Sequence, residues 1–238
     1  MFGCFFPVIA QGDDEPAVLF EQANIAQTQG DYAQAIAQYL TISRHGVSAS
    51  LLYNLANSYA VSGQIGLAVL NYERALRLAP GNPDILANLK QVRKEAGLYR
   101  QDRPLYICLA VLLGPDQWLL LFAVTLLLLA GTALAASLVK ERRWGDVLRL
   151  AMIGSLVLML LTLPPTLLGY RSWNDGVVLE EDRLLISPFA EAASASNIKA
   201  GQLVRPVRKH GEYVLVEDES GKSGWLEQGN LQRIAELI

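Results

Sequence analysis

The sequence predicts a multidomain protein whose three parts differ in fold class: an all-α helical-repeat domain, a two-helix transmembrane hairpin and a small all-β domain. Three observations predict this division. A pattern of glycine, alanine and tyrosine recurs in the N-terminal third, two long uncharged runs lie mid-chain, and short alternating apolar runs fill the C-terminal quarter. The composition agrees, since 52% of residues are hydrophobic and only 18% are charged, against about a quarter charged in ordinary soluble domains.

The repeat domain is predicted from two similar strings, FEQANIAQTQGDYAQAIAQYL (20–40) and YNLANSYAVSGQIGLAVLNYERALRLAP (53–80). Small and aromatic residues recur between them: Gly30 matches Gly63, Ala35 matches Ala68 and Tyr39 matches Tyr72. The second string has the signature spacing of a tetratricopeptide repeat, carried by Leu55, Ala56, Tyr59, Gly63, Ala68, Tyr72, Ala75 and Pro80. We therefore expect a tetratricopeptide-repeat domain over 16–100, with repeats at about 16–48 and 49–82 and a capping helix at 83–97.

Two repeats are fewer than the roughly three that such arrays need to bury a continuous core. The capping helix, the membrane, a protein partner or a second copy of the chain must therefore complete the stack. The sequence leaves open which of them does so.

The concave face of the repeats is the candidate partner-binding groove. The resemblance to tetratricopeptide repeats implies that the first helix of each pair lines this face. Its sixth and ninth positions carry amides, namely Asn24, Asn54, Asn57, Asn88 and Gln91. Such a ladder suits an extended peptide, because each amide both donates and accepts hydrogen bonds. The alternative is that these amides cap turns or face water.

Tetratricopeptide domains that bind a C-terminal carboxylate join two asparagines to lysines and an arginine. Asn24 and Asn54 match those asparagines, but Phe20, Asp84 and Asn88 stand where the basic residues belong. The pattern therefore does not favour capture of a terminal carboxylate.

Two uncharged runs, 118–139 and 150–170, are predicted to span a membrane. At about 1.5 Å per residue, each reaches roughly 30 Å, the thickness of the hydrocarbon core. The alternative, a pair of buried core helices, requires a large soluble domain that the rest of the chain does not provide. We expect Pro164 and Pro165 to break the final turn of the second span.

The link at 140–149 sets the predicted orientation, because Lys140, Arg142, Arg143 and Arg149 place it in the cytoplasm by the positive-inside rule. Both terminal domains then lie on the periplasmic side of a bacterial inner membrane. Basic residues before the first span weaken this argument, namely Arg93, Lys94, Arg100 and Arg103. Two spans place both domains on the same side in either orientation.

Two shorter segments flank these parts. Residues 1–15 are interpreted as the remnant of a signal peptide and a linker, because a short apolar run precedes small and then acidic residues. Residues 101–117 include the apolar string LYICLAVLL, which is too short to span. We expect an interfacial linker there.

The C-terminal region, 176–238, is predicted to form strands from GVVLEEDRLLIS, GQLVRPVRK, EYVLVED and SGWLEQGNLQRI. It resembles a bacterial SH3-like domain in its motif residues: Gly201, Val204, Tyr213, Val214, Val216, Gly221, Gly224, Trp225 and Leu226. The resemblance implies a small antiparallel barrel. Tyr213 and Trp225 are the candidate ligand-binding aromatics on its surface.

Gly221-Lys222-Ser223 resembles the end of a phosphate-binding loop. Such a loop also requires a glycine five residues before Gly221. Val216 occupies that position, and Glu217, Asp218 and Glu219 would repel a phosphate. We expect a hairpin turn and no nucleotide cofactor.

No catalytic or metal-binding motif is visible. His45 and His210 are the only histidines, and no H-E-x-x-H, G-x-S-x-G or cysteine–histidine pattern accompanies them. The sequence therefore predicts a protein that is not an enzyme and that needs no cofactor or metal. Nothing in it predicts a nucleic-acid partner.

The order of these parts, with the strings YNLANSYAVSGQIGLAVLNYERALRLAP and SGWL, resembles the BatE family of the bacterial aerotolerance (Bat) group. The resemblance implies a membrane-anchored scaffold linked to oxidative-stress tolerance and envelope integrity. It also implies von Willebrand A-domain membrane proteins and a MoxR-type ATPase as partners. The alternative is a receptor whose SH3-like domain senses peptidoglycan or a peptide.

Overall fold

The computed structural model describes residues 15–98, 113, 115–138, 142–172 and 174–236. The predicted signal-peptide remnant and most of the predicted interfacial linker lie outside these residues. Seven α-helices are described: α1 (Glu15–Thr28), α2 (Tyr32–Ser43), α3 (Ala49–Val61), α4 (Ile65–Leu78), α5 (Pro83–Glu95), α6 (Pro115–Leu138) and α7 (Arg142–Ser172). A sheet follows, with β1 (Gly176–Val178), β2 (Asp182–Leu185), β3 (Ser194–Ile198), β4 (Leu203–His210), β5 (Tyr213–Asp218), β6 (Ser223–Glu227) and β7 (Leu231–Arg233). The multidomain fold class is confirmed.

Each of the helices α1 to α5 packs against the next one along the chain. Gly30 and Gly63 end the first helix of each pair with positive φ angles of 83° and 77°, a conformation that glycine adopts without steric cost. The Ser48 side chain caps α3 by accepting from the Leu51 amide at 3.1 Å. Ala56 and Ala68 are fully buried, so small residues allow α3 and α4 to pack closely.

Helices α6 and α7 are apolar and largely exposed. Both are long and apolar enough to cross a membrane, over Asp116–Leu138 and Trp144–Leu167. Only 6% and 11% of their most apolar windows are buried, so they are unlike core helices of a soluble domain. They pack against each other, and Thr125 and Thr162 face each other across the pair with hydroxyl oxygens 3.5 Å apart.

The second apolar helix is longer than the sequence predicted. It begins at Arg142 rather than at residue 150, so most of the basic link forms the first turns of α7. No proline interrupts this stretch, and Asp146 and Arg149 form an ion pair one turn apart at 3.4 Å. Only residues 139–141 separate the two helices.

The expectation that Pro164 and Pro165 break α7 is wrong, because the helix continues through both to Ser172. Each proline removes one backbone donor, but proline is compatible with helical φ. Neighbouring helices and threonine hydroxyls stabilise such prolines in apolar helices. Here the Thr166 hydroxyl donates to the Thr162 carbonyl at 2.8 Å and lies 3.3 Å from the Trp118 carbonyl of α6, which joins the two helices beside the prolines but does not replace the bonds that the prolines remove.

The C-terminal strands form one antiparallel sheet in the order β3-β2-β6-β5-β4-β1-β7. The first predicted strand is divided because Asn230 pins a bend at Glu180, accepting from its amide at 2.7 Å and donating to its carbonyl at 3.0 Å. Strand β3 was not predicted from its sequence, SASNI. In the described residues β3 and β7 do not pair, and the SH3-like assignment stays a prediction.

One face of the sheet is a small apolar core: Val178, Leu184, Ile198, Val204, Val214, Val216 and Leu226. A second set of sheet residues joins the core of the repeat helices instead: Val177, Leu203 and Ile234. The sheet therefore packs against the repeat domain, and its contact lies on α4.

Candidate functional site: the amide groove

Helices α1, α3 and α5 bring the predicted groove residues onto adjoining surfaces. Asn24, Asn54, Asn57 and Asn88 are half-buried, and Gln91 is exposed. The four asparagines bond one another and nearby tyrosines in two similar clusters, one for each repeat. They therefore do not act as turn caps.

The first cluster centres on the Asn24 side-chain oxygen. The Tyr39 hydroxyl of α2 donates to it at 2.7 Å, and the Asn54 amide of α3 donates to it at 3.0 Å. Gln27 adds a further link, donating to the Asn54 carbonyl at 3.2 Å. One acceptor atom thus joins three helices.

The second cluster repeats this arrangement one repeat later. The Asn57 side-chain oxygen accepts from the Tyr72 hydroxyl of α4, and it accepts from the Asn88 amide of α5 at 2.9 Å. Asn88 also donates to the Tyr53 hydroxyl at 2.9 Å. The tyrosine in each second helix therefore orients the asparagine of its own repeat, and the next helix completes the cluster.

Burial raises the pKa of both tyrosines, that of Tyr72 to about 12. Desolvation disfavours the phenolate, so both hydroxyls remain protonated donors at neutral pH. Both hydroxyls are therefore able to donate to the asparagine oxygens that they contact.

The clusters determine what the groove offers a ligand. Each central oxygen, on Asn24 and Asn57, already accepts the two hydrogen bonds that an amide oxygen accommodates. The side-chain nitrogens of Asn24 and Asn57 make no hydrogen bond within the described residues. The groove therefore presents amide N–H donors at matching positions of successive repeats, which suit main-chain carbonyls of an extended peptide.

Gln91 stands apart from the two clusters. Its side chain donates to Glu95 one turn along the same helix. Phe20 packs against Tyr39, with ring centroids 5.9 Å apart, and Asp84 is exposed at the start of α5. No basic side chain joins the described clusters, and the groove lacks the cations of a carboxylate-binding site.

Of the two candidate aromatics on the sheet, Trp225 is only 6% exposed. The Arg208 guanidinium lies 5.4 Å from its ring centroid and the His210 ring lies 6.3 Å away. Tyr213 is half-buried. Sequence analysis did not identify Phe189, which is 63% exposed and packs edge-on against His210 with ring centroids 6.3 Å apart.

Gly221-Lys222-Ser223 lies in the hairpin between β5 and β6, where Glu217 pairs with Ser223. The Asp218 carboxylate accepts from the amides of Ser220 and Lys222 at 2.8 and 2.9 Å. In a phosphate-binding loop such amides would face the phosphate. The hairpin prediction is confirmed, and the turn's donors are occupied by a carboxylate.

His45 lies in the turn after α2 and His210 on β4, in separate parts of the fold. Within the residues that the structure describes, no group of three or more histidine, cysteine or acidic residues is placed to hold a metal.

Comparison with known proteins supports the helical part of this description. A tetratricopeptide-repeat family model matches residues 49–82, which comprise α3, α4 and the turns beside them. The chain is also similar to the photosystem I assembly protein Ycf3 of Prochlorococcus marinus (strain MIT 9215), with 27% identity over 97 residues. The match covers 39% of this chain and 56% of that relative, so it spans about half the relative's length.

The fold therefore defines a class: a protein with tetratricopeptide-repeat helices, two apolar helices able to cross a membrane, and a C-terminal antiparallel sheet. Tetratricopeptide repeats support protein–protein interaction in general.

Proposed function

We propose that this protein is a non-enzymatic, membrane-anchored scaffold that binds an extended segment of a partner protein in the amide groove. The observation that carries the proposal is the pair of matching clusters around Asn24 and Asn57. Each holds an asparagine by its oxygen and leaves its N–H donors to a ligand. Pre-oriented donors reduce the entropy that is lost on binding.

Anchoring follows from the two apolar helices. Because the sheet packs against α4, the repeat helices and the sheet lie on the same side of any membrane that α6 and α7 cross. We propose that this side is the periplasm of a bacterial inner membrane, with the basic start of α7 at the cytoplasmic surface.

We further propose that the scaffold works in a Bat-type complex that contributes to oxidative-stress tolerance and envelope integrity. The resemblance of nearly the whole chain to the BatE family supports this, and von Willebrand A-domain membrane proteins are then the expected partners. The name of the relative Ycf3 concerns assembly, which agrees with a scaffold role of a general kind. The receptor alternative has less support, because Trp225 is covered by Arg208 and His210.

The experiment is a crosslinked pull-down from native membranes with an Asn24→Asp, Asn57→Asp double variant. Aspartate keeps the oxygen that accepts from tyrosine and asparagine, but it replaces the outward N–H donors by an anionic oxygen. The matched control is Gln29→Glu, Gln64→Glu, which adds the same charge at exposed turns between helices.

We expect the wild type and the control to recover von Willebrand A-domain proteins, and the groove variant to lose them. Equal recovery by all three would move the contact away from the groove. Failure of all three to recover such proteins would reject the Bat-type partners.

A further inference from the structure

Helix α5 stands in the position of the first helix of a third repeat, and within the described residues no second helix packs on it. In the two complete repeats, α2 covers α1 and α4 covers α3. Among the described helices, α5 contacts α4 and α3. One side of α4 and the end of α5 would therefore be left uncovered, unless another part of the molecule packs there.

The sheet packs at this place, and its approach to α4 is very close. Gly66 lies in α4 against the backbone after β1, where a β-carbon on residue 66 would lie 2.1 Å from the Leu179 carbonyl oxygen. Such a distance is far inside van der Waals contact, and backbone is not free to move aside. Any larger residue at this position would separate the helix from the strand.

A second glycine, on the sheet side, fits equally closely. Gly201 has a φ of 81°, and a β-carbon there would meet Leu98 at 2.8 Å and Val69 at 3.1 Å. Leu98 follows α5 and Val69 lies in α4. The turn before β4 thus lies against α4 and the end of α5, where the second helix of a third repeat would pack.

A buried arginine adds polar contacts to this interface. Arg74 of α4 is 1% exposed, and its guanidinium donates to the backbone carbonyls of Arg233 and Glu236. Burial lowers its pKa to about 10, which leaves it charged at neutral pH. A buried cation is costly unless acceptors contact it, and the acceptors here come from the end of β7 and the residues after it.

We propose that the C-terminal sheet takes the position that the second helix of a third repeat would occupy, and that it closes the repeat stack within one chain. The apolar residues that it contributes are Val177, Leu203 and Ile234. No second copy is then needed to complete the array. Because only residues 173–175 separate α7 from β1, the sheet also links the groove to the membrane helices through a short tether.

The test compares Gly66→Ala with wild type in the full chain, solubilised in detergent, by hydrogen exchange and mass spectrometry. Alanine is a better helix former than glycine, so Gly66→Ala would stabilise α4 if nothing packed on it. If the sheet is docked as we propose, the methyl group separates it from α4. The matched control is Gly131→Ala, a helical glycine whose added β-carbon meets no atom within 4 Å.

We expect amides of β1, β7 and the end of α5 to exchange at least about tenfold faster in Gly66→Ala, as for local opening, and to be unchanged in Gly131→Ala. Unchanged exchange in the sheet with slower exchange in α4 would overturn the proposal. Light scattering on the same samples should give a monomer for all three proteins. A dimer that Gly66→Ala dissociates would assign this face of α4 to a second copy.

Discussion

The Tyr72 hydroxyl donates to the side-chain oxygen of Asn57, as Tyr39 does to Asn24 one repeat earlier. The tyrosine in the second helix of each repeat therefore forms a hydrogen bond as well as packing in the core. Its ring fills the space beside a buried alanine, and its hydroxyl holds the asparagine that faces the groove.

We predict that Tyr72→Phe destabilises the full chain by about 1 kcal/mol, the usual net contribution of one hydrogen bond. The Asn57 oxygen keeps only its bond from Asn88. Thermal unfolding followed by the helical circular dichroism signal measures this. The control is Tyr32→Phe, since the Tyr32 hydroxyl makes no hydrogen bond within the described residues.

The same residue gives a pH dependence. Burial raises the pKa of Tyr72 from 10.0 to about 12, so the folded state keeps a proton that the unfolded chain loses. The stabilisation is complete below pH 10 and is lost as the pH rises toward 12. Tyr72→Phe should flatten this part of the stability curve. An unchanged slope would show that Tyr72 is not buried as described.

We predict that Asp218→Ala destabilises the β5–β6 hairpin by about 1–2 kcal/mol, because two turn amides lose their acceptor. Exchange of the Ser220 and Lys222 amides should become faster. Ser220→Ala, which removes only a hydroxyl contact to the same carboxylate, should have the smaller effect. Neither variant nor wild type should bind ATP by calorimetry, and binding at millimolar affinity would revive the phosphate-loop reading.

We predict that Arg74→Met lowers the free energy of unfolding by about 2 kcal/mol, because the carbonyls of Arg233 and Glu236 lose a buried donor. Methionine keeps much of the apolar stem. Arg44→Met, at an exposed position after α2, should be neutral in the same urea titration. If Arg74→Met is also neutral, the cost of desolvating the guanidinium offsets its hydrogen bonds.

We predict that alkaline phosphatase is active when fused after Ile238 and inactive when fused after Arg143. Phosphatase folds only on the periplasmic side, where its disulfides form. A β-galactosidase fusion at the same two positions should give the opposite result. Activity of the phosphatase at Arg143 would reverse the proposed orientation but leave both domains on one side.

Local pattern was sufficient for much of the fold. The spacing of Gly63, Ala68 and Tyr72 predicts α3 and α4 because each residue type has its own steric role there. The two uncharged runs predict α6 and α7 from length alone. The acidic residues before Gly221 predict the hairpin, since turn residues act over a few positions.

The parts that sequence reasoning missed depend on distant partners. Four of the five residues of β3, Ser194 to Asn197, are weak strand formers, and the strand forms because it pairs with β2. The bonding of Asn54 to Asn24 depends on how two helices pack. From the sequence alone, Arg74 would be taken for a surface charge, because only the fold shows that the C-terminal strand covers it. Gly66 was the available signal, because a glycine inside a helical pattern is unfavourable relative to alanine unless packing requires it.

The contact between Gly66 and Leu179 joins segments that are synthesised before and after the two apolar helices. During biogenesis the repeat helices are synthesised first, and the side of α4 that the sheet covers is exposed until the sheet has been made. That side is covered only if the hairpin inserts with both of its ends facing the same compartment. In a chain with only one inserted helix, the sheet would lie on the opposite side of the bilayer from the repeat helices. Arg74 would then lose the carbonyls of Arg233 and Glu236 as acceptors. If α6 and α7 cross a membrane as proposed, correct insertion of both is thus a precondition for docking of the sheet on α4, and a misinserted chain would expose apolar surface that proteolysis can recognise.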